Sequence, residues 1–502
     1  MFPAKKSKRV SPAALGLALA GFCFVPFTVG ASAAPAANKA PKPASPQVKV
    51  AALVAAYEKE IKATAGVSAV RVADGGVLAS IRSDRRFVPA SNQKLLTGAF
   101  ALARLGGEFK FVTTVYLLKS GAILIRGDFD PTLGDGRLAA AAGKSRYGEL
   151  DRWAEAVKAA SPKKPPPRIL LEDSPKAADY RHPDWPQSQH RGWYAAPVGR
   201  LNFNNNCFDV RFHLAKGRAI AGLFPDSRFW RIVNKVKPGR KNAWWLTPDA
   251  DHSVITLRGT INQSRPGALT VAADNPPMLL GRTLAERLVL AGVKFTGQLR
   301  VVEPGKTDLR GAKAICRTTT PLARAMGLSN RHSLNMAAEC MFLRAGDGTW
   351  SGSAKKMAAV LVRDYGLKAS ELKVRDGGGL SRGNLVAPAA MTKVLLGVLR
   401  RRDATLLLHS MAVSGGDGSL IKRLGGPYRG RVLGKTGWIR KASGLSGYVL
   451  DKAGRPKITY SVLVGHVPGG TNWRAKKLQD DVCRVLVDYL DAPPDKPRKP
   501  RS

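Results

Sequence analysis

Acid is what this chain lacks. Only 36 aspartates and glutamates stand against 81 lysines and arginines, a formal charge of +45 at pH 7. Such an imbalance favours an anionic partner or surroundings, through long-range attraction and counterion release. Nucleic acid, anionic lipid and an acidic wall polymer all meet that description. Histidine and cysteine are scarcer still, at seven and five. No His-x-x-x-His or Cys-x-x-Cys occurs among them, which argues against a zinc enzyme. No segment repeats at the periods of solenoids or propellers. What remains is ordinary globular material: 502 residues, 44% of them hydrophobic, are enough for two or three domains with a substantial core and too apolar for a disordered protein.

The N-terminus narrows the choice of partner. Lys5, Lys6, Lys8 and Arg9 precede an apolar stretch from about Ala13 to Val29, and Ala31-Ser32-Ala33 gives a small-x-small cleavage pattern. Residues 1–33 read as a secretory signal. An uncleaved anchor helix is the alternative, weakened by Pro26 and the glycines and alanines around it. Cys23 is a poor lipoprotein site because bulky Phe22 precedes it. The expected location is therefore outside the cytoplasm, in the periplasm or cell envelope. Nucleic acid is not an expected partner there, whereas an anionic wall or membrane surface suits the charge. An oxidising compartment also permits one or two disulfides among Cys207, Cys316, Cys340 and Cys483, with no pairing assigned.

Residues 34–48 are Pro/Ala/Lys-rich and predict a disordered linker. A helix is expected from about Val50 to Ala63, a hairpin around Asp74-Gly75-Gly76, and an apolar helix from Ser91 through Leu105. From 111 to 304 the texture changes to short β-like runs, many turns, the break "SPKKPPPR" and a Trp-rich stretch around Trp185, Trp193 and Trp230. This reads as an inserted, mostly β module within a domain formed by 49–110 and 305–491. Helical patterns return near 321–327, 333–345, 355–365 and 388–401. A hairpin turning near Asp451–Arg455, a helix over about 472–490 and a solvated basic tail over 492–502 complete the chain.

Chemistry is suggested first by "PASNQKLLTGAF", where Ser91 and Lys94 head an apolar run. Ser-x-x-Lys occurs five times, at Ser91, Ser161, Ser353, Ser370 and Ser419. Ser161 falls in the Pro-rich break, Ser353 and Ser370 flank a helix in lysine-rich, solvated surroundings, and Ser419 follows a turn. Only Ser91 opens a strongly apolar helix, which places its hydroxyl at the positive end of the dipole and Lys94 one turn on. Partial desolvation there lowers the lysine's pKa and lets its neutral amine take the serine proton. Two further motifs occur once each, Ser333-x-Asn335 and Lys435-Thr436-Gly437, the latter just before the C-terminal hairpin and so expected on an edge strand. Early Ser-x-x-Lys, later Ser-x-Asn and late Lys-Thr-Gly is the order found in penicillin-binding proteins and serine β-lactamases.

The chain resembles the D-alanyl-D-alanine carboxypeptidase/endopeptidase family, the class C low-molecular-mass penicillin-binding proteins, over about residues 50–490. Besides the three motifs, the resemblance rests on "GDFDPTL", "WYAAPVGRLNFNNNC", "NRHSLNMAAECMFLRAG", "DGGGLSRGNLVAP" and "VLGKTGWIRKASGLSGYV". It implies an α/β (α+β) penicilloyl-serine transferase fold, β-lactamase-like, with one or two small, mostly β domains inserted between Ser91 and Ser333. It further implies a hydrolase without cofactor or metal that acts on peptidoglycan peptides through an acyl-enzyme on Ser91 and is inhibited covalently by β-lactams. Lys94 would be the base, and Ser333 and Lys435 a proton relay to the leaving D-alanine. Asn335 would bind substrate backbone, Lys435 and Thr436 would attract the terminal carboxylate, and Gly437 would let substrate run close. The N–H groups of Ser91 and Trp438 would form the oxyanion hole. Trp438 departs from the family, which usually has serine or threonine there to bind the carboxylate. A β-lactamase and a non-catalytic wall-binding descendant are the rival readings. The large insert and the lack of a recognisable acidic deacylation motif oppose the first, and the intact Ser91, Lys94, Ser333, Asn335 and Lys435 oppose the second. "DGGGLSRGN" could suggest a phosphate cradle but lacks the framing strand and helix. His332 reads as structural or capping rather than a proton carrier, and the tryptophans as core rather than a glycan platform.

Overall fold

The computed structural model describes residues 45–492 apart from 162–163, 250–252 and 265–266. The expected secretory signal, most of the expected linker and nearly all of the expected basic tail lie outside the described residues.

Period-two alternation builds the central sheet. Along the strand Pro456–Gly465, Ile458, Tyr460, Val462 and Val464 share one apolar cluster with the faces of two helices, Pro46–Ile61 and Asn472–Asp491. The intervening Leu463, with Tyr448 and Leu450 of the neighbouring strand Ala442–Leu450, enters a second and larger cluster. That cluster takes its other walls from the helices Gln93–Leu105, Leu322–Asn330, Asn335–Ala345, Trp350–Tyr365 and Pro388–Leu399. The six-stranded sheet thus lies between two helical layers, which is why Ala442–Leu450 is buried at every residue. Its strand order runs Ala412–Val413, Val432–Ile439, Ala442–Leu450, Pro456–Gly465, Thr64–Arg71, Val77–Ile81. The outermost piece is only two residues long and pairs with Leu433 and Gly434. Lys435–Ile439 therefore has a strand neighbour on one side only.

Strands outnumber helices in the interposed region, and it also holds two long helices. A five-stranded sheet in the order Gln298–Val302, Arg168–Glu172, Ile123–Arg126, Lys110–Leu117, Lys313–Pro321 is covered by the helices Gly148–Ala160 and Pro276–Leu290. Leu150, Trp153, Ala154 and Val157 keep helical spacing and are all fully buried. The Pro-rich break that follows at once obscures this signal. The sheet also extends past 304, because Lys313–Pro321 pairs with Lys110–Leu117 in antiparallel register. Two three-stranded sheets pack around Phe208, Val210, Trp230, Leu246 and Leu257. The linker expected over 34–48 ends early as well, since the first helix begins at Pro46, a position where proline's missing N–H costs nothing. Cys207, Cys316, Cys340 and Cys483 are all buried and free, so none of the permitted disulfides forms.

Candidate active site

Ser91 sits in a single 3-10 turn, Ala90–Asn92, that leads directly into the Gln93–Leu105 helix. Lys94 is one turn on and fully buried. Its Nζ has three partners: Ser91 Oγ at 2.9 Å, Asn335 Oδ1 at 2.6 Å and the Gly378 carbonyl at 2.5 Å. Asn335 Nδ2 donates to the Tyr194 carbonyl at 2.6 Å, which fixes the amide so that its oxygen faces the lysine. Two of the three partners can therefore only accept. When the amine is neutral, its lone pair has one place to go, towards the hydroxyl of Ser91. Burial pulls Lys94 down to about 8, against the opposing pull of Glu339 and Asp376.

The second pair has the same form. Lys435, also fully buried, donates to Ser333 Oγ at 2.9 Å and to the Thr436 carbonyl at 2.7 Å. Burial, and then the charge of Lys94, hold it well below the usual lysine range. Ser333 does not open the helix as expected. It precedes Asn335–Ala345 by two residues and has φ of +58°, and Ala90 beside Ser91 has +47°. Both are left-handed conformations that non-glycine residues rarely adopt, and they fall immediately beside Ser91 and at Ser333.

The loop "DGGGLSRGN" supplies the third partner of Lys94. The N–H groups of Gly377 and Gly378 donate to the buried Glu339 at 2.7 and 2.6 Å, and those of Gly379 and Ser381 to Asp376 at 2.7 and 2.6 Å. Trp185 Nε1 and Asn384 Nδ2 also donate to Asp376. These N–H groups are spent on carboxylates and do not form a phosphate cradle. Burial and the charge of Asp376 push Glu339 well above the usual carboxylate range, against the two N–H donors. Gly379 is required where it stands: a Cβ there would lie 1.9 Å from the Ala90 carbonyl. Gly437 is required as well, since its Cβ would meet Asn92 Nδ2 at 2.4 Å and the Pro89 carbonyl at 2.8 Å. That contact places the Lys-Thr-Gly strand directly against the turn bearing Ser91.

Two clefts meet at Ser91 and Ser333. One of about 1120 Å³ is lined by Trp193, Tyr194 and Asn335, and the other of about 280 Å³ by Ser419, Thr436 and Gly437; Ser91, Ser333 and Trp438 border both. All eight residues singled out in the sequence lie in or around this junction. Among the tryptophans, Trp185 and Trp230 are core, but Trp193 is 45% exposed and lines the larger cleft. His332 lines neither cleft. Glu339, Asp376 and the Tyr194 carbonyl escaped sequence reading as parts of the site, although "AEC", "DGGG" and "WYAA" all lie inside the stretches that carry the resemblance. Ser419, set aside as a chance copy of Ser-x-x-Lys, accepts a hydrogen bond from Thr436 Oγ1 at 2.9 Å. Ser353, expected in solvated surroundings, is fully buried within the Trp350–Tyr365 helix, where it accepts the Asp347 N–H.

A serine and a buried lysine one turn apart, a second serine–lysine pair and a half-open edge strand, set between a sheet and a helical layer, define a serine acyl-transferase of the penicilloyl-serine transferase fold. Residues 47–482 match the D-Ala-D-Ala carboxypeptidase 3 (S13) family, and the chain belongs to it. It is a serine-type D-Ala-D-Ala carboxypeptidase, a hydrolase. The D-alanyl-D-alanine carboxypeptidase DacB of Haemophilus influenzae is 23% identical over 82% of this chain and 88% of its own length. The D-alanyl-D-alanine carboxypeptidase of an Actinomadura strain is 26% identical over 85% of this chain and 82% of its own. Among solved structures, penicillin binding protein 4 of Haemophilus influenzae superposes with a TM-score of 0.71 at 19% identity, covering 87% of this chain and 99% of that one.

Proposed function

We propose that Ser91 is the nucleophile in the hydrolysis of peptidoglycan peptides ending in D-Ala-D-Ala. The three-partner setting of Lys94 is the observation that carries this reading. In the acylation step Ser91 Oγ bonds to the carbonyl carbon between the two D-alanines as its proton passes to the neutral Lys94. The N–H groups of Ser91 and Trp438 hold the oxyanion. The C–N bond then breaks, and the leaving D-alanine nitrogen takes a proton through Ser333 and Lys435. Water repeats the sequence in reverse: its hydroxyl joins the acyl carbon, the Ser91 ester breaks, and the proton returns to Ser91 Oγ. Asn335 orients both Lys94 and the acyl peptide, and Gly437 and Thr436 guide the leaving side along the strand.

Incubating the mature protein with a fluorescent penicillin, and locating the label by mass spectrometry, tests the assignment. A stable adduct on Ser91, absent in Ser91→Ala, is expected. A folded protein that stays unlabelled sinks the reading. Trp438 cannot offer the hydroxyl usual after Lys-Thr-Gly, and this favours cross-linked dimer over pentapeptide as substrate. Equal preference for pentapeptide by the natural protein and Trp438→Thr would defeat that point. The leader-like N-terminus favours action in the periplasm or cell envelope, and the charge of +45 suits an anionic wall or membrane surface there. Salt-sensitive retention on anionic vesicles checks the latter.

A further inference from the structure

Far from the clefts, one three-stranded sheet of the interposed region, in the order Arg231–Pro238, Val254–Ile261, Ala243–Pro248, buries one face and leaves the other open. Val236, Leu246, Ile255, Leu257 and Ile261 point into the apolar cluster beneath it. Period-two alternation therefore turns Arg231, Lys235 and Lys237 of the first strand, Arg258 of the central strand and Trp245 of the third the other way. The remaining positions of that outer face are Val, Ala or Thr, so it carries no Asp, Glu, Asn or Gln. Register sets Arg258 directly between Lys235 and Trp245. All four cations are exposed, none has a carboxylate partner among the described residues, and Trp245 is 51% exposed. Like charges directly opposite one another destabilise a sheet. Lysines on an edge strand have a plain use, since they keep that edge from pairing with another chain. Arg258 has no such use, because its strand is the central one.

We propose that this open face docks the protein on an anionic lipid bilayer, with the four cations against headgroup phosphates and the Trp245 indole at the interface. The proposal deepens the envelope setting given above and does not depend on Ser91 being the nucleophile. An anionic surface attracts each Lys or Arg near it by about fivefold in affinity, and an indole, apolar with one N–H, is at home at headgroup level. An anion lying over Lys235 and Arg258 also removes the repulsion between them. A sugar polymer fits this face less well. Its neutral hydroxyls are gripped by planar groups that accept as well as donate, and the face has no carboxylate or amide. Phosphate needs donors alone, and Lys and Arg offer nothing else.

The test sediments the mature protein with vesicles of phosphatidylcholine containing phosphatidylglycerol, or of phosphatidylcholine alone, and reads the partition coefficient. Binding to the anionic vesicles only, falling steeply with salt, is expected. The variant carrying Arg231→Gln, Lys235→Gln, Lys237→Gln and Arg258→Gln should lose at least about 100-fold in partition, and Trp245→Ala about 5- to 10-fold, as for half-burying a large apolar side chain. The whole chain is basic, so a charge-matched variant is needed: Lys59, Lys62, Lys355 and Lys373, all exposed and outside this sheet, changed to Gln. It should lose less than about tenfold. Lys235→Gln with Arg258→Gln, which relieves the opposed charges and should melt no lower than the natural protein, stands in with a loss of about 25-fold if the fourfold variant does not fold. Equal losses in the two fourfold variants mean diffuse attraction and overturn the docking face, as does a natural protein that ignores the anionic vesicles. A face variant that keeps its vesicle binding and loses retention on purified peptidoglycan gives the face to the wall polymer and overturns the lipid assignment. Penicillin labelling of Ser91 should be unchanged in every variant. A natural protein that binds vesicles but takes no label loses the nucleophile reading and keeps this one.

Discussion

Attack by Ser91 needs an unprotonated amine at Lys94, and that requirement sets a pH dependence that can be worked out beforehand. Burial brings Lys94 down to about 8. The neutral share is then about 1% at pH 6 and about half at pH 8, so the acylation rate should rise about fifty-fold over those two units and level off above pH 9. The sign follows from the charge: a depressed lysine gains its active form as pH rises. A lysine at its unperturbed pKa of about 10.4 would instead give a rate still climbing tenfold per unit at pH 9.5. The assay is the second-order rate of Ser91 labelling by a fluorescent penicillin, taken under excess reagent from pH 5.5 to 9.5. Two variants sharpen it. Lys94→Arg, which cannot deprotonate, should lose labelling throughout. Glu339→Gln removes a carboxylate whose field favours the protonated amine, and should move the bend to lower pH. A flat profile between pH 6 and 8, or one still rising at 9.5, would refute the desolvated-lysine argument.

Other outcomes follow from the packing. Gly437→Ala should lower kcat/KM about 100-fold or more with little change in melting temperature, because the new methyl must displace either Asn92 or the turn that bears Ser91. Ser333→Ala removes one of the two hydrogen-bond partners of Lys435 Nζ, and should slow peptide cleavage more than penicillin labelling, since a β-lactam's leaving nitrogen stays tethered. Trp153→Ala empties a fully buried site and removes the Nε1 donation to the Thr318 hydroxyl at 2.8 Å, which keeps its bonds to Arg152 and Glu149. A loss of about 3–5 kcal/mol is expected from urea unfolding, with the active-site label retained in the fraction that folds.

Some of this was legible in the sequence for clear physical reasons. The hairpin at Ala442–Gly465 carries period-two alternation, and the turn at Asp451–Arg455 is marked by Asp and Gly. The Gln93–Leu105 helix is apolar nearly all round because it is buried nearly all round. The two long helices of the interposed region are masked by the breakers that bound them, and the sheet's reach past 304 is hidden because sheet membership is a long-range property: nothing near 313 announces a partner at 117. The cysteines show the limit of compartment arguments, since permission to pair says nothing about whether the fold brings thiols together.

Why one Ser-x-x-Lys among five is the one proposed to carry chemistry is a separate matter, and the spacing does not explain it. Ser161 donates to the carbonyl of Lys164, so its hydroxyl is already spent on the backbone. Ser353 is as buried as Lys94, which shows that burial alone is insufficient. Ser419 lies at the edge of the same cleft as Ser91, which shows that position is insufficient too. What Ser91 has is a lysine whose other two partners, reached across 241 and 284 residues of chain, cannot donate. The three-residue spacing brings the amine within reach of the hydroxyl. The loop pinned by Glu339 and Asp376, and the amide fixed by the Tyr194 carbonyl, determine which way the proton moves. A three-residue motif therefore becomes a nucleophile only when distant acceptors leave the amine no other donor, and that condition resides in the assembled fold rather than in any window of sequence.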